Sequence, residues 1–374
     1  MNHAESVTRL VRRGVRKPLR IVKRKLVKPR YRPGLPDTSW VTTAETPARP
    51  TPSTDVRLFA VLGTWLEADV VGATVLNAFT QGCERVFLID NDSPDDTVAE
   101  ALAAGAELAR SYATDHYDES VRMTLMNQTV AEVSSGVHHT DGDEHLWWLW
   151  LDADEFPHGP GGLTLLEYIR SLDGRYRVVG SRFLNHIPDR RPFSIAGRHP
   201  LDFQPLCEDH AYPMCDRNHR KHPLQRWDAA GPAITCLPGF HMATSAEHPL
   251  TEPVVPIITH HFPYRSEDLT RARLDTLCAR DLDGGPRARN DEAAEHIASR
   301  YRSLNAVYDR RWSAVENIMP DRPRFGIELA PWTQFVEPAD TTVARWYEPE
   351  AVDERSLGGW PVLSDGAGPG RGTG

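Results

Sequence analysis

Apolar positions along the chain follow two periods. Largely apolar runs at 56–62, 85–89 and 147–151, the last unbroken, have the length of strands covered on both faces, which read as continuous rather than alternating sequence. Between the first two, Val71, Val75 and Phe79 recur every fourth residue, predicting a helix over 67–80. Ser93 as N-cap and Pro94 at the first helical position predict a second helix through Leu102, and 118–133 a third. The pattern then predicts a helix over 162–172, with Leu165, Leu166 and Ile169 on one face, and a strand over 176–183. Strands alternating with helices imply an α/β fold with a largely parallel sheet and right-handed crossovers. From 188 to 248 the chain is rich in Pro, His and Cys and lacks a period, so loops and short strands are expected over the end of the sheet. Helices resume over 266–280 and 291–315, and a Gly-rich stretch from 353 predicts disorder.

Charge divides the chain further. Net charge is −9, but residues 1–32 hold 12 Lys or Arg and one acid, Glu5. That arm is +11 and the remainder is −9 − 11 = −20. It reads either as a solvated tail or as a segment for an anionic membrane surface, since Val7, Leu10, Val11 and Val15 fall near one helical face before Pro18. The acidic body speaks against a nucleic-acid partner. The organisation expected is a basic arm (1–32), a Pro/Thr-rich linker (33–55), a core (56–186), a His/Cys-rich region completing the domain (187–265), a helical region (266–352) and a tail (353–374). Five cysteines without a CxxC pair argue against a disulfide framework. With no spanning apolar run and no signal peptide, the cytoplasm is expected, with peripheral attachment to the inner membrane face as an addition.

The chemistry lies where apolar runs end in acids. Asp90-Asn91-Asp92 and Asp152-Ala153-Asp154 each close a buried strand, at the edge where open α/β sheets bind ligands. Asp141-Gly142-Asp143 precedes its strand, so it falls at the opposite edge and reads as a solvated turn. Side-by-side carboxylates on a buried strand call for a cation or hydrogen-bond donors, and suggest a metal or phosphate site.

Three segments in order, "LFAVLGTWLEADVV", "GCERVFLIDNDSPDDT" and "WLWLDADEF", resemble the family-2 glycosyltransferases, in particular the subgroup whose DxD motif reads LDADEF. The likeness covers roughly 56–183, and "ITHHFPYRSEDL" resembles a later HYxxRS segment. It implies a GT-A (Rossmann-like) fold: a mixed, mostly parallel sheet flanked by helices, with a loop-rich acceptor region and terminal helices. It implies a donor such as a UDP- or GDP-sugar, a glycan or other hydroxyl acceptor, and Mn²⁺ or Mg²⁺, which hard oxygen ligands suit, on the donor diphosphate. By that likeness Asp152 and Asp154 hold metal and diphosphate, with Asp152 also toward the ribose. Asp90 meets the base, Glu67 lies near the nucleoside, His261 (His260 second) joins the metal shell and Arg265 meets the diphosphate. Leu66 stands where the family carries Asn before Glu67, and Asp95 reads as a helix cap.

For the base that deprotonates the acceptor in an inverting reaction, Glu208, Asp209, Asp228, His241 and Glu155 stay open. Cys207, His210, Cys215 and His219, spaced C-x2-H-x4-C-x3-H, offer a structural zinc site. Two other function classes remain: a non-catalytic nucleotide- or carbohydrate-binding protein on the same scaffold, and a nucleotidyltransferase, although "VLGTWLEAD" lacks a Gly-rich phosphate loop.

Overall fold

A computed structural model describes residues 41–44, 56–114, 118–137, 145–188, 199–210, 221–228, 234–240, 243–245, 250–283, 305, 308 and 330–344. The basic arm, the tail and most of the helix expected over 291–315 lie outside these residues.

The strands are β1 (Val41–Ala44), β2 (Val56–Thr64), β3 (Arg85–Asp90), β4 (Glu107–Ser111), β5 (His145–Asp152), β6 (Glu155–His158), β7 (Val178–His186), β8 (Leu206–His210), β9 (Lys221–Trp227), β10 (Ile234–Cys236), β11 (Ala243–Ser245), β12 (Leu250–Pro253), β13 (Ile257–His261) and β14 (Ala330–Pro331). The helices are α1 (Val71–Thr80), α2 (Thr97–Ala103), α3 (Glu119–Gly136), α4 (Leu165–Ser171), α5 (Glu267–Asp283) and α6 (Asp340–Val343). No described helix is long and apolar enough to cross a membrane.

The fold is α/β, a mixed sheet flanked by helices. Its path runs β14-β8-β7-β9-β5-β2-β3-β4. Strands β4, β3, β2 and β5 are parallel, as the alternation of strands and helices requires. From β5 the ladders β5–β9, β9–β7, β7–β8 and β8–β14 are antiparallel. The sheet forks at β7. Residues 178–181 of β7 pair with β9, whereas 181–185 pair with β13, which in turn pairs with β6. The turn at Ala153-Asp154 crosses from β5 on one prong to β6 on the other.

The period-2 geometry of strands explains the largely apolar runs. Leu58, Ala60 and Leu62 of β2, with Trp147, Leu149 and Leu151 of β5, face Val71, Val75 and Ala78 of α1 and Leu165 and Ile169 of α4. Phe59 and Val61, with Trp148 and Trp150, face Met123, Met126 and Val130 of α3. Trp148 and Trp150 are almost wholly buried; at about 25 cal/mol per Å² each contributes about 4–6 kcal/mol of transfer free energy. This apolar slab supports the polar edge above it.

Helix starts follow local chemistry. Asp118 accepts from the amides of Ser120 and Val121, and Thr164 forms a capping box with Glu167. The Ser93 cap is corrected: α2 starts at Thr97, and the Ser93 hydroxyl instead donates to Asp90 and its Oγ accepts from the Leu66 amide. Helix α1 starts at Val71 rather than 67, because 67–70 form a turn. Three buried histidines run in file beneath the fork. His158 Nδ1 meets the Gly159 carbonyl at 2.8 Å, His158 Nε2 meets His260 Nε2 at 3.2 Å, His260 Nδ1 meets His186 Nε2 at 2.8 Å, and His186 Nδ1 meets the Gln204 carbonyl at 2.5 Å. Burial pushes the His186 ring down to about 3.

Candidate active site at the forked sheet edge

Register places Thr64 beside Asp90 and Gly63 beside Asp152, so β2, β3 and β5 end on one edge. Asp90 is buried. Its Oδ1 accepts from Thr64 Oγ1 (3.1 Å) and Ser93 Oγ (2.6 Å), and its Oδ2 from the Ser93 amide (2.9 Å). The β3–α2 loop also holds the loop after β2: the Leu66 amide donates to Ser93 Oγ, Glu67 to Thr97 Oγ1 and Ala68 to Asp95 Oδ2. Asp95 thus ties two loops and accepts from the Thr97 amide. Leu66 has φ +58, a left-handed conformation that asparagine tolerates better than leucine.

One prong of the fork gathers Asp152, Arg122, Lys221 and Glu155. Carried three residues beyond Leu149 and Leu224, the β5–β9 register sets Asp152 across from Lys221. Asp152 Oδ1 accepts from Arg122 Nη1 (2.5 Å) and Oδ2 from Lys221 Nζ (2.8 Å). Lys221 also donates to Glu155 across the fork. Its ammonium lies 5.4 Å from the Phe183 ring and 5.2 Å from the Phe240 ring, in cation–π range. Arg122 reaches Asp152 over Gly63, where an added Cβ would sit 3.1 Å from Arg122 Cδ. It is also forked onto Glu119, whose Oε1 accepts from the Gly239 amide. Burial pushes the Asp152 carboxyl up, but Lys221 and Arg122 outweigh it and hold it below the ordinary carboxylate range. Burial pushes Glu155 up to about 8, with Lys221 pulling it down and Asp152 and Asp154 pushing it up.

The other prong gathers Asp154, His261, Arg265 and Glu67. The Asp154 carbonyl accepts from the Phe262 amide, pinning the turn to the end of β13. Asp154 Oδ2 lies 3.7 Å from His261 Nε2 and 3.8 Å from Arg265 Nη1. His261 Nδ1 contacts Asn185 Oδ1 at 2.7 Å. Arg265 is 6% exposed and committed to protein partners: Nε and Nη2 to Asp69 (2.6 and 2.9 Å), Nη2 also to Glu67 (2.5 Å), and Nη1 to the Phe262 carbonyl (3.1 Å). Arg273 of α5 pairs with the other Glu67 oxygen. Burial pushes the Glu67 carboxyl up to about 7, against the pull of Arg273 and Arg265.

The structure thus brings together Glu67, Asp90, Asp152, Asp154, Glu155, His261 and Arg265. His260 points away from this group into the histidine file. Glu208 is buried in β8, in register with Asn185; Asp209 and His210 are in β8 by backbone, their side chains outside the described residues. Asp228 sits at the opposite edge, next to the start of β5, paired with Arg177 and Arg226. Of the proposed zinc ligands only the Cys207 side chain is described, buried in the apolar core; Cys215 and His219 lie outside, as does His241. Sequence reasoning missed Arg122, Lys221 and Asn185. Arg122 lies in the first turn of α3, and the other two lie in or beside the stretch read as loop, so nothing in their spacing marked them.

Asp154 and His261 offer a hard oxygen and an imidazole nitrogen at a spacing that two ligands of one ion span at about 2.1 Å each. Among the described residues no group of three or more His, Cys, Asp or Glu is placed to hold an ion. Their spacing is wider than the roughly 3 Å between neighbouring ligands of an octahedral ion, so Mn²⁺ or Mg²⁺, with water and substrate phosphate in its remaining positions, would draw the two side chains together.

No protein-family model matches the sequence, and no curated protein does. Solved structures similar in part include mannosyl-3-phosphoglycerate synthase from Rubrobacter xylanophilus, 20% identical over 36% of this chain and 41% of that one, with a TM-score of 0.23. Another is glucosyl-3-phosphoglycerate synthase from Mycobacterium tuberculosis, 18% identical over 34% and 44%, with a TM-score of 0.24. The same enzyme in complex with Mn²⁺, uridine diphosphate and glucosyl-3-phosphoglycerate is 14% identical over 34% and 44%, at 0.22. This chain spans less than half the length of each. At such scores the likeness assigns no activity.

Proposed function

We propose that the chain is a metal-dependent glycosyltransferase of the GT-A type, transferring a sugar from a nucleoside-diphosphate donor to an acceptor hydroxyl. The observation that carries this reading is the meeting of Asp154 and His261 at the ligand-binding edge of the sheet, with Asp90 on the neighbouring strand end. Asp154 and His261 would hold Mn²⁺ or Mg²⁺, which when bound supplies charge neutralisation for the departing diphosphate. Asp90, held by Thr64 and Ser93, keeps the nucleoside-side loops in place and presents the edge to the base. Arg265 does not face the diphosphate in this reading; it gathers Glu67, Asp69 and Asp154 into one arrangement. Asp152 serves as counter-ion to Arg122 and Lys221 and fixes the turn from which Asp154 projects. Inversion at the anomeric carbon, a UDP or GDP donor, a cytoplasmic setting and attachment of the basic arm to an anionic membrane belong to the same proposal.

The test is donor hydrolysis and transfer across a nucleotide-sugar panel, with and without Mn²⁺, comparing wild type with Asp154→Asn. Metal-stimulated turnover lost in the variant supports the reading. A protein that binds nucleotide sugars yet turns over none of them favours the non-catalytic alternative instead.

A further inference from the structure

We propose that Asn185 is a positioning residue for the cation site, setting the tautomer and aim of His261. The inference rests on the metal-dependent reading above. Asn185 and His261 are Cα partners in the parallel β7–β13 ladder. Partners in register project to the same face of a sheet, so the two side chains lie side by side. The contact is 2.7 Å between Asn185 Oδ1 and His261 Nδ1. An amide oxygen only accepts, so Nδ1 carries a proton, and in the neutral ring Nε2 keeps its lone pair. That lone pair is on the side of Asp154 Oδ2, 3.7 Å away. The second nitrogen of a metal-binding imidazole is commonly held in this way, by an acceptor that fixes the ring and raises its basicity.

The surroundings make the arrangement rigid. Asn185 is 6% exposed, and a buried amide is costly unless paired. Two residues earlier on the same face, the Phe183 ring meets the imidazole edge to face, 6.0 Å between centroids. Lys221 lies over that same Phe183 ring, so the wall beside His261 is backed by the cation that bridges the fork. On its other side Asn185 is in register with buried Glu208, which sets a limit on substitution.

Asn185→Leu removes the acceptor at similar volume. Asn185→Asp keeps an acceptor but places a carboxylate beside Glu208, so urea unfolding is run on both. Three readouts follow. In protein labelled with ¹⁵N-histidine, free of metal and at a pH high enough for the ring to be neutral, His261 should carry its proton on Nδ1 and not on Nε2; Asn185→Leu should mix the tautomers. Mn²⁺ alone, titrated by electron paramagnetic resonance, should bind about 10–100-fold more weakly to Asn185→Leu. In a His261→Ala background the same substitution should change Mn²⁺ affinity no further. A folded Asn185→Leu that binds Mn²⁺ like wild type, or a neutral wild-type His261 whose proton sits on Nε2 rather than Nδ1, overturns the inference and leaves the metal-dependent reading standing. Wild-type protein that binds no Mn²⁺ overturns both.

Discussion

The two acids of one DxD triplet meet opposite surroundings. Asp152 ends the β5–β9 prong with both oxygens taken by protein cations, whereas Asp154, in the crossing itself, has its nearest imidazole and guanidinium nitrogens at 3.7 and 3.8 Å. The first prong has met its own charge demand within the fold; the second leaves a carboxylate and an imidazole spaced as one ion would use them. A motif of two acids is therefore not two equal ligands. The same chemical change at each should be read out in different observables.

Asp154→Asn should lower metal-dependent turnover by about 10²–10³-fold while leaving urea stability near wild type. Asp152→Asn should do the reverse in emphasis. It leaves Lys221 and Arg122 short of a counter-charge in a largely buried place and should cost about 2–3 kcal/mol, below the range for fully buried pairs because Asp152 is partly exposed. Equal losses of stability in the two variants would erase the contrast. Lys221→Met removes the ammonium shared by both prongs and should cost about 2 kcal/mol in urea, with a loss of activity that follows the loosened turn.

Glu155→Gln sharpens the comparison through pH. The folded carboxyl titrates at about 8, above its ordinary value, so between pH 4.5 and 8 the folded state keeps a proton that the unfolded chain has lost. Stability from this group is complete below that window and falls as pH rises through it, by at most roughly 1.4 kcal/mol per unit. The Gln variant lacks this slope, so urea midpoints of the two proteins should diverge from pH 5 to 8 in favour of the variant. Parallel curves would mean that Lys221 keeps Glu155 ionised. The smallest effect is expected from Gly63→Ala, whose Cβ would press on Arg122 and loosen its grip on Asp152, at about 1 kcal/mol.

Much of the parallel half was legible, because β2, β3 and β5 announce themselves as largely apolar runs, β3 and β5 ending in acids, and α1 and α4 by the spacing of their apolar residues. Of the antiparallel half β7 was read, as a strand over 176–183, and the short strands around it were not. Short β8 and β10–β13 mix polar residues and histidines with a few apolar ones, and their burial depends on partners far away in sequence, so no local period marks them. The same holds for the site. Asp90, Asp152 and Asp154 were visible from their place at strand ends. Lys221 and Asn185 take their meaning from register across β9, β7 and β13, a property that a single strand does not contain. Arg265 was found at the site but facing its own carboxylates, since charge type alone does not say which partner a guanidinium meets.

The file of histidines under the fork has a consequence in the number of its hydrogens. The Gly159 and Gln204 carbonyls can only accept, so the two end rings place their hydrogens outward and turn bare nitrogens toward His260. Four contacts then require four hydrogens, and three neutral rings own three. A neutral His260 can satisfy one neighbour, and the 2.8 Å contact with His186 is the one suited to a shared hydrogen; the 3.2 Å contact with His158 is left as two facing lone pairs. A fourth hydrogen would close it only by placing positive charge among rings that burial keeps neutral. With its rings neutral the file is one hydrogen short, and the shortfall falls between His260 of β13 and His158 of β6, the strand that follows directly from Asp154.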